Sequence, residues 1–358
     1  MPLVSVLMPV YNAQEYLGSA LQSILEQSFK DFEFLIMDDG SVDESSRILK
    51  YYSARDLRIK VIKQKNQGIT NSLNSLIKLA LGEFIARMDA DDIAYPERLE
   101  KQIQYLQEHP DVGVVGCWTQ IMMAENRIHL CQCFPDDNNR ISEFLDAGHN
   151  PFVHPSVMMR RQVLNLVSPP YRFRNSQDFD LWLRLLGRTN FGMVEELLMV
   201  HRKHSEQVSM YYGEKGRKII KLIRRLHSQR KNGQGDADWQ TMERRILESN
   251  SSSPVKLGFD APQVFYQEAI SLQLARGNPK EIRNYMFRAM ANSSLRGKAF
   301  FQFVLTFLPL PLYHYLNKKR FRHVLDGRYY YSVDKLLTSV QIQVRQQYLD
   351  YIHAYNQP

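Results

Sequence analysis

The 358-residue sequence predicts an α/β fold: a mostly parallel sheet with helices on both faces, followed by a mainly helical C-terminal region. Three observations carry this. Strand-like and helix-like patterns alternate through the first half, as in repeated strand–helix–strand units. Apolar strand-like runs stop abruptly in carboxylates, at Asp38-Asp39 and at Asp89-Ala90-Asp91-Asp92. Composition then shifts after about Tyr212, where basic residues interleave with aliphatic ones.

The elements follow in order. Val4 to Met8 is strand-like and ends at Pro9. Asn12 with Glu15 predicts a capping box, ahead of Leu17, Ala20, Leu21, Ile24 and Leu25 at helical spacing. Phe32 to Met37 is the second strand, ending in Asp38-Asp39-Gly40-Ser41. Ser41 with Glu44 predicts another capping box before Ile48, Leu49 and Tyr52. Ile59 to Ile62 is a third strand. Ile69, Leu73, Leu76, Ile77 and Ala80 form the next helical face, which Gly82 is expected to terminate. Phe84 to Met88 is the acid-tipped strand. Pro96 suits the start of a helix carrying Leu99, Ile103 and Leu106, and Val112 to Val115 is a further strand.

The apolar fraction of 44% and charged fraction of 23% are those of an ordinary soluble globular protein. The net charge of +8 favours anionic partners without selecting one. Three cysteines, Cys117, Cys131 and Cys133, make no disulfide framework and imply a reducing, cytoplasmic compartment. Val4 to Val10 opens a strand with no basic region before it, so no signal peptide is expected.

In a sheet of this kind, ligands bind beyond the carboxyl ends of the strands. Pro9-Val10-Tyr11, Asp38-Asp39 and Asp89 to Asp92 all follow strand ends and are expected to share one edge. Clustered acids repel unless a cation sits among them, and a hard divalent metal suits an all-oxygen set. Alone, Asp89-x-Asp91 could be a solvated acidic turn. Shared with Asp38-Asp39, it could hold a metal-bound diphosphate while the other pair accepts hydrogen bonds from a base or ribose.

These stretches resemble the family 2 glycosyltransferases of bacteria, which have the GT-A fold, a mixed and mostly parallel sheet. Val4-Ser5-Val6-Leu7-Met8-Pro9-Val10-Tyr11-Asn12 is similar to the family's opening strand, and Asp38-Asp39-Gly40-Ser41-x-Asp43 to its nucleotide-contacting turn. Asn66-Gln67-Gly68 through Asn74 and Gly82 through Asp92 resemble the stretch before the metal motif and the motif itself. The resemblance covers roughly residues 2–209. With the composition shift after Tyr212, the expected division is a catalytic domain at 1–212 and a helical region at 213–358. The resemblance implies an inverting transfer from a UDP- or GDP-sugar to an acceptor hydroxyl. A glycan or lipid-linked acceptor of a surface polysaccharide is expected from the basic amphipathic helix and the apolar segment of the C-terminal region.

The resemblance further implies that Pro9, Tyr11, Asp38, Asp39, Asp43, Asn66, Gly68, Arg87 and Asp89 surround the donor nucleotide. It implies that Asp91 and His204 hold Mn2+ or Mg2+. Asp178, in Ser176-Gln177-Asp178-Phe179-Asp180, occupies the position of the general base, with Gln177 where Glu is commoner. The other reading of these acids is a helix cap, which suits Asp180 better. His201-Arg202-Lys203-His204 resembles a Tyr-Arg-x-His loop, and Arg202 suits donor phosphates. His154, Gln177 and Trp182 are expected on the acceptor side; for His154 a plain loop-to-strand junction is the alternative.

After Tyr212, the segment around Arg217 to Leu226 reads as a basic amphipathic helix, Asn232 to Asp238 as a polar linker, and Ala261 to Asn292 as two helices. Ala299 to Leu316 is apolar but broken by Pro309 and Pro311, so it fits a helix lying in a membrane interface better than a spanning one. Lys318-Lys319-Arg320 would then reach anionic headgroups. A buried helix is the other reading. Peripheral attachment to the cytoplasmic membrane face is therefore expected. A nucleotidyltransferase acting on sugar phosphates is the alternative function, disfavoured because Pro9-Val10-Tyr11-Asn12 is no Gly-rich basic loop. A NAD-binding domain lacks its glycine fingerprint, and nucleic-acid binding lacks a recognisable module.

Overall fold

The computed structural model describes residues 1–123, 127–134, 136–204, 213–236, 238–249 and 330–332. Strands β1 (Val4–Val10), β2 (Phe32–Asp38), β3 (Ile59–Lys63) and β4 (Phe84–Arg87) form the parallel part, in the order β3-β2-β1-β4. β1, β2 and β4 are buried along nearly their whole length, hence their near-continuous apolar runs, whereas β3, at the sheet edge, exposes Lys60 and Lys63. Helices α1 (Leu17–Leu25), α2 (Ser45–Ser53) and α3 (Ile69–Leu79) connect them, and α4 (Arg98–Glu108) follows the acidic turn. On α1, Leu17, Leu21 and Ile24 are fully buried, each contributing about 1.5–3 kcal/mol of hydrophobic stabilisation.

Beyond β4 the sheet becomes mixed. β5 (Ile93–Ala94) is short. β6 runs Val112–Met123, much longer than the four residues expected. β7 (Arg127–Gln132), β8 (Met158–Arg160) and β9 (Asn190–Arg202) were not evident in the sequence pattern. β8 lies antiparallel between β4 and β6, while β9 runs parallel to β6 and antiparallel to β5. Helices α5 (Asn138–Asp146) and α6 (Gln177–Leu185) pack on this half.

Three local expectations are corrected. Neither Asn12 nor Ser41 caps its own helix: α1 begins after Tyr16 and α2 after Glu44, with no side-chain cap at either. The two side chains bond across to each other's turns instead. Gly82 does not end α3, which stops at Leu79. A Cβ there would lie 2.5 Å from Ser5 N, so glycine is required by close approach to β1.

The C-terminal region contributes α7 (Gly213–Lys231), α8 (Trp239–Glu248) and β10 (Tyr330–Ser332), which pairs antiparallel with β7. Helix α7 is the expected basic amphipathic helix. Its apolar face is not available to a membrane, however. Ile219, Leu222, Ile223 and Leu226 are buried in the same hydrophobic cluster as Leu145, Leu181 and Leu185. The expected helices at 261–292, the apolar segment 299–316 and the basic cluster 318–320 lie outside the described residues. No helix among the described residues is long and apolar enough to cross a membrane.

Candidate active site

The site begins where β1 and β2 end level, with Val10 opposite Asp38. Their following turns are stitched together. Asn12 N donates to Ser41 Oγ (3.1 Å), Val42 N to Asn12 Oδ1 (2.9 Å) and Gln14 N to Asp43 Oδ2 (3.0 Å). Asn12 stands in the left-handed region, φ 49°, which asparagine tolerates better than most residues. Asp43 thus ties the two turns together, its Oδ1 also accepting from Ser45 N.

Asp38 and Asp39 are both buried. Asp38 accepts from Ser41 N at 3.0 Å and from the Ser46 hydroxyl. Burial alone would raise its carboxyl, but these bonds hold it below the usual carboxylate range. Asp39 accepts from Gln64 Nε2 (2.7 Å), Gln67 N (2.9 Å) and Gly68 N (2.8 Å), so it fixes the 64–68 loop. Gly40, at φ +77°, lets that loop close: a Cβ would stand 2.9 Å from Asn66 N. Of the expected nucleotide contacts, Tyr11 (52% exposed) and Asn66 face solvent, Pro9, Asp43 and Gly68 are half-buried, and Asp38 and Asp39 lie beneath as a scaffold.

The acidic turn stands beside them, because β4 pairs with β1 in parallel. One carboxylate oxygen from each of Asp89, Asp91 and Asp92 lies within 4.8 Å of the others. They are not equivalent. Asp89 and Asp91 side chains are 27% and 23% exposed, whereas Asp92 is fully buried. Asp92 accepts from Arg202 N at 2.8 Å and lies 3.1 Å from His201 Nδ1. Burial, with Asp89 close by, pushes the Asp92 carboxyl up, and burial pushes the His201 imidazole down to about 3.

The pairing of β5 with β9, Ile93 opposite Val200, carries the His201–His204 stretch onto the acids. His204 Nε2 lies 2.8 Å from Asp91 Oδ2, and its ring is 4.7 Å from that of Tyr16. Arg202 is buried, its guanidinium donating to the Asp91 carbonyl at 2.6 Å and lying over Tyr16. It therefore shapes the turn rather than facing donor phosphates. Two half-exposed carboxylates and an adjacent imidazole are a donor set that fits Mn2+ or Mg2+. Asp92, already engaged inside, supports that set from below.

The third part is formed by the 150–182 segment. Asp178 lies in the first turn of α6, after Ser176 in the left-handed region (φ 56°). Asn150 Nδ2 donates to Asp178 Oδ2 at 2.8 Å, and burial raises the Asp178 carboxyl above its ordinary value. His154 Nε2 lies 2.9 Å from Tyr171 Oη, and burial pushes this imidazole well down, so it is neutral. Asp180 is no helix cap. It is fully buried and paired with Arg172 Nε (2.9 Å) and Arg184 Nε (2.8 Å).

Several expectations change here. Arg87 is buried and donates to Asp89 and to the Met88 carbonyl. Its charge also reaches Asp178, His154 and Tyr171, so it underlies both halves of the site rather than facing the nucleotide. Trp182 is fully buried, its ring 5.7 Å from that of Phe152, and Gln177 is buried as well. Both pack α6 instead of presenting a surface. Residues missed in the sequence include Asn150, Tyr171 and the fully buried Arg98. Arg98 Nη2 donates to the Arg87 carbonyl (2.8 Å), while its Nε donates to Gln102 (3.1 Å), which in turn donates to the Ser156 carbonyl (2.8 Å). The Asn150-Pro151 and Arg98…Gln102 spacings are the signals that could have pointed to them.

Residues 5–166 match the model of Glycosyl transferase family 2. An uncharacterized glycosyltransferase of Methanocaldococcus jannaschii is 36% identical over 207 residues, 56% of this chain and 71% of that protein. The O-antigen biosynthesis glycosyltransferase WbnJ of Escherichia coli is 30% identical over 219 residues, covering 59% and 85%. Among solved structures, S. aureus TarS 1–349 in complex with UDP-GlcNAc superposes with a TM-score of 0.50 at 17% identity, covering 86% of this chain and 90% of that one. The mixed sheet flanked by helices is thus the GT-A arrangement.

Proposed function

This chain belongs to glycosyl transferase family 2, and from that premise we propose that it transfers a sugar, with inversion, from a nucleoside-diphosphate donor to an acceptor hydroxyl. The observation that carries the reading is the meeting of two half-exposed carboxylates, Asp89 and Asp91, with His204 against Asp91, on the sheet edge that also carries Asp38-Asp39.

In this reading Tyr11 and Asn66 meet the nucleotide from the solvent side, and Asp38, Asp39 and Asp43 hold their turns in place. Gly68 opens α3 beside them, and Pro9 lines the floor. Asp89 turns toward the ribose, held by Arg87. Asp91 and His204 are the residues that would bind Mn2+ or Mg2+, supplying Lewis-acid stabilisation of the charge that grows on the departing diphosphate. Asp178 takes the proton from the acceptor hydroxyl as its oxygen attacks the anomeric carbon, opposite the breaking bond to the diphosphate. Its raised carboxyl makes it a better base than an ordinary aspartate, and Asn150 aims it. His154 and Tyr171 line the acceptor side. We assign the transfer machinery to residues 1–212.

The role of WbnJ in O-antigen biosynthesis supports a surface-polysaccharide acceptor, and UDP-GlcNAc in the TarS complex supports a UDP-sugar donor, with GDP-sugars the other class. Membrane contact, if made through 299–320, predicts that liposome co-sedimentation falls when residues after Ala299 are removed; unchanged sedimentation would refute it. The central test is hydrolysis of a panel of UDP- and GDP-sugars. Turnover should stop on chelation and return with Mn2+, and turnover indifferent to chelator would sink the metal role.

A further inference from the structure

Tyr171 to Arg174 is a segment without helix or strand, two residues before Ser176 and the start of α6. Its backbone has no ladder to fix it, so side chains from elsewhere set its position. One jaw of that grip is α3. Thr70 Oγ1 donates to the Phe173 carbonyl at 2.5 Å, and Asn74 exchanges bonds of 2.8 and 3.0 Å with the Tyr171 carbonyl and N–H.

The other jaw comes from after Tyr212. Arg174 N donates to the buried Glu243 Oε1 at 2.7 Å. The Phe173 ring lies 5.2 Å from the Trp239 ring, and the Arg172 guanidinium 5.4 Å from it. Arg172 also bridges Asp236, before α8, to the buried Asp180 on α6. Planar two-point contact between guanidinium and carboxylate transmits orientation as well as charge.

We infer that Asp236, Trp239 and Glu243 are positioning residues for Asp178 and His154, so that α8 and the linker before it complete the acceptor half of the site rather than forming an appendage. This rests on the reading of Asp178 as the base. The chain of contacts is direct: Glu243 and Trp239 hold Phe173 and Arg174, Asp236 holds Arg172, and Arg172 holds α6 through Asp180. From the same segment, Tyr171 Oη meets His154 Nε2.

The test uses the full chain with Mn2+, water as acceptor, and whichever of UDP-GlcNAc, UDP-glucose or GDP-mannose is hydrolysed fastest. Glu243→Ala, Glu243→Gln, Asp236→Ala and Asp178→Asn are measured together for kcat and for binding of UDP or GDP. Displacing reacting groups by about 1 Å costs up to roughly 10²-fold, so Glu243→Ala should lower kcat by about tenfold or more with nucleotide Kd unchanged. Glu243→Gln retains a carbonyl acceptor for Arg174 N and should restore the rate. Asp236→Ala, at a side chain 29% exposed, leaves the core intact and should give a smaller drop of the same kind. The inference is overturned if Glu243→Ala and Asp236→Ala both turn over at the wild-type rate, if kcat and nucleotide affinity fall together, or if Gln is no better than Ala. Should Glu243→Ala not fold, Asp236→Ala and Glu243→Gln decide it alone. Wild-type hydrolysis by Asp178→Asn would remove the base reading itself. An inactive Asp178→Asn beside normal Glu243→Ala and Asp236→Ala would remove only the positioning role.

Discussion

The proposed donor half and the proposed acceptor half of the site are built in different ways. On the donor side, β1, β2 and β4 end on one edge, and each turn is held by its immediate neighbours: Asn12 by Ser41 and Val42, Asp39 by Gln64, Gln67 and Gly68. On the acceptor side, Asp178 is placed by Asn150, α6 by Arg172 and Arg184, and the 171–174 segment by residues on α3 and α8. Parallel strands bring a binding edge together automatically. A base that must meet an acceptor needs several distant segments to agree, which makes that half the one more easily disturbed without unfolding the sheet.

The strongest way to separate the halves is Asp178→Asn. Loss of a general base costs roughly 10²–10⁴ in rate, so hydrolysis should fall by that factor while UDP or GDP binds as before. The pH profile gives a second handle. Burial raises the Asp178 carboxyl, so the base form is lost as pH falls through a value above the ordinary aspartate pKa of about 4. The wild-type acid limb should lie there and should vanish in Asp178→Asn; a limb unchanged by the substitution would assign it to another group.

The donor-side counterpart is Asp91→Ala, which removes the carboxylate beside His204. Removing one preorganised contributor to transition-state charge stabilisation costs roughly 10²–10³. The expected outcome is a drop of that size together with a weaker response to added Mn2+. If Asp91→Ala keeps the wild-type Mn2+ titration, the two-halves division fails at its metal.

Asp180→Asn addresses the long-range assembly directly. It leaves Arg172 and Arg184 buried without their shared carboxylate, and breaking a buried pair on one side costs about 3–5 kcal/mol. Urea unfolding should register that loss, and the nucleotide affinity of the remaining folded protein should hold. An unfolding midpoint within error of wild type would mean the buried triad contributes little.

Much of the donor half was legible because apolar periodicity fixes strands, and parallel strands put Pro9, Asp38 and Asp89 on one edge. What stayed hidden has physical reasons. Asn12 and Ser41 look like caps for the helices that follow them, but the turns lie close enough for each to serve the other. Arg87 and Arg98 are both cations in fully buried positions, contrary to the usual preference, held by Asp89 and by backbone carbonyls that no periodicity marks, with Arg87 Nε left without a hydrogen-bond partner. β8 is only three residues long, and β9 shows no clean alternation because it is buried for most of its length, whereas β7 alternates only over the short run Arg127 to Leu130. The apolar face of α7 reads equally as a membrane face or a packing face until Leu181, Leu185 and Leu226 are seen in one cluster.

The smallest expected effect compares two glycines with similar backbone. Gly40, in the donor half, has φ +77°, and Gly187, just after α6, has φ +75°. Both lie where an L-residue costs about 1–2 kcal/mol, so Gly40→Ala and Gly187→Ala should each lower the unfolding midpoint. Their surroundings differ. A Cβ at Gly187 meets nothing within 4 Å, whereas one at Gly40 stands 2.9 Å from Asn66 N. The Asn66 backbone cannot swing aside as a flexible side chain could, so the 64–68 loop must shift, and with it the bonds that Asp39 makes to Gln67 and Gly68. Gly40→Ala should therefore weaken nucleotide binding beyond its cost in stability, and Gly187→Ala should leave binding unchanged. Equal effects of the two substitutions on nucleotide Kd would show that the loop on Asp39 does not shape the donor half.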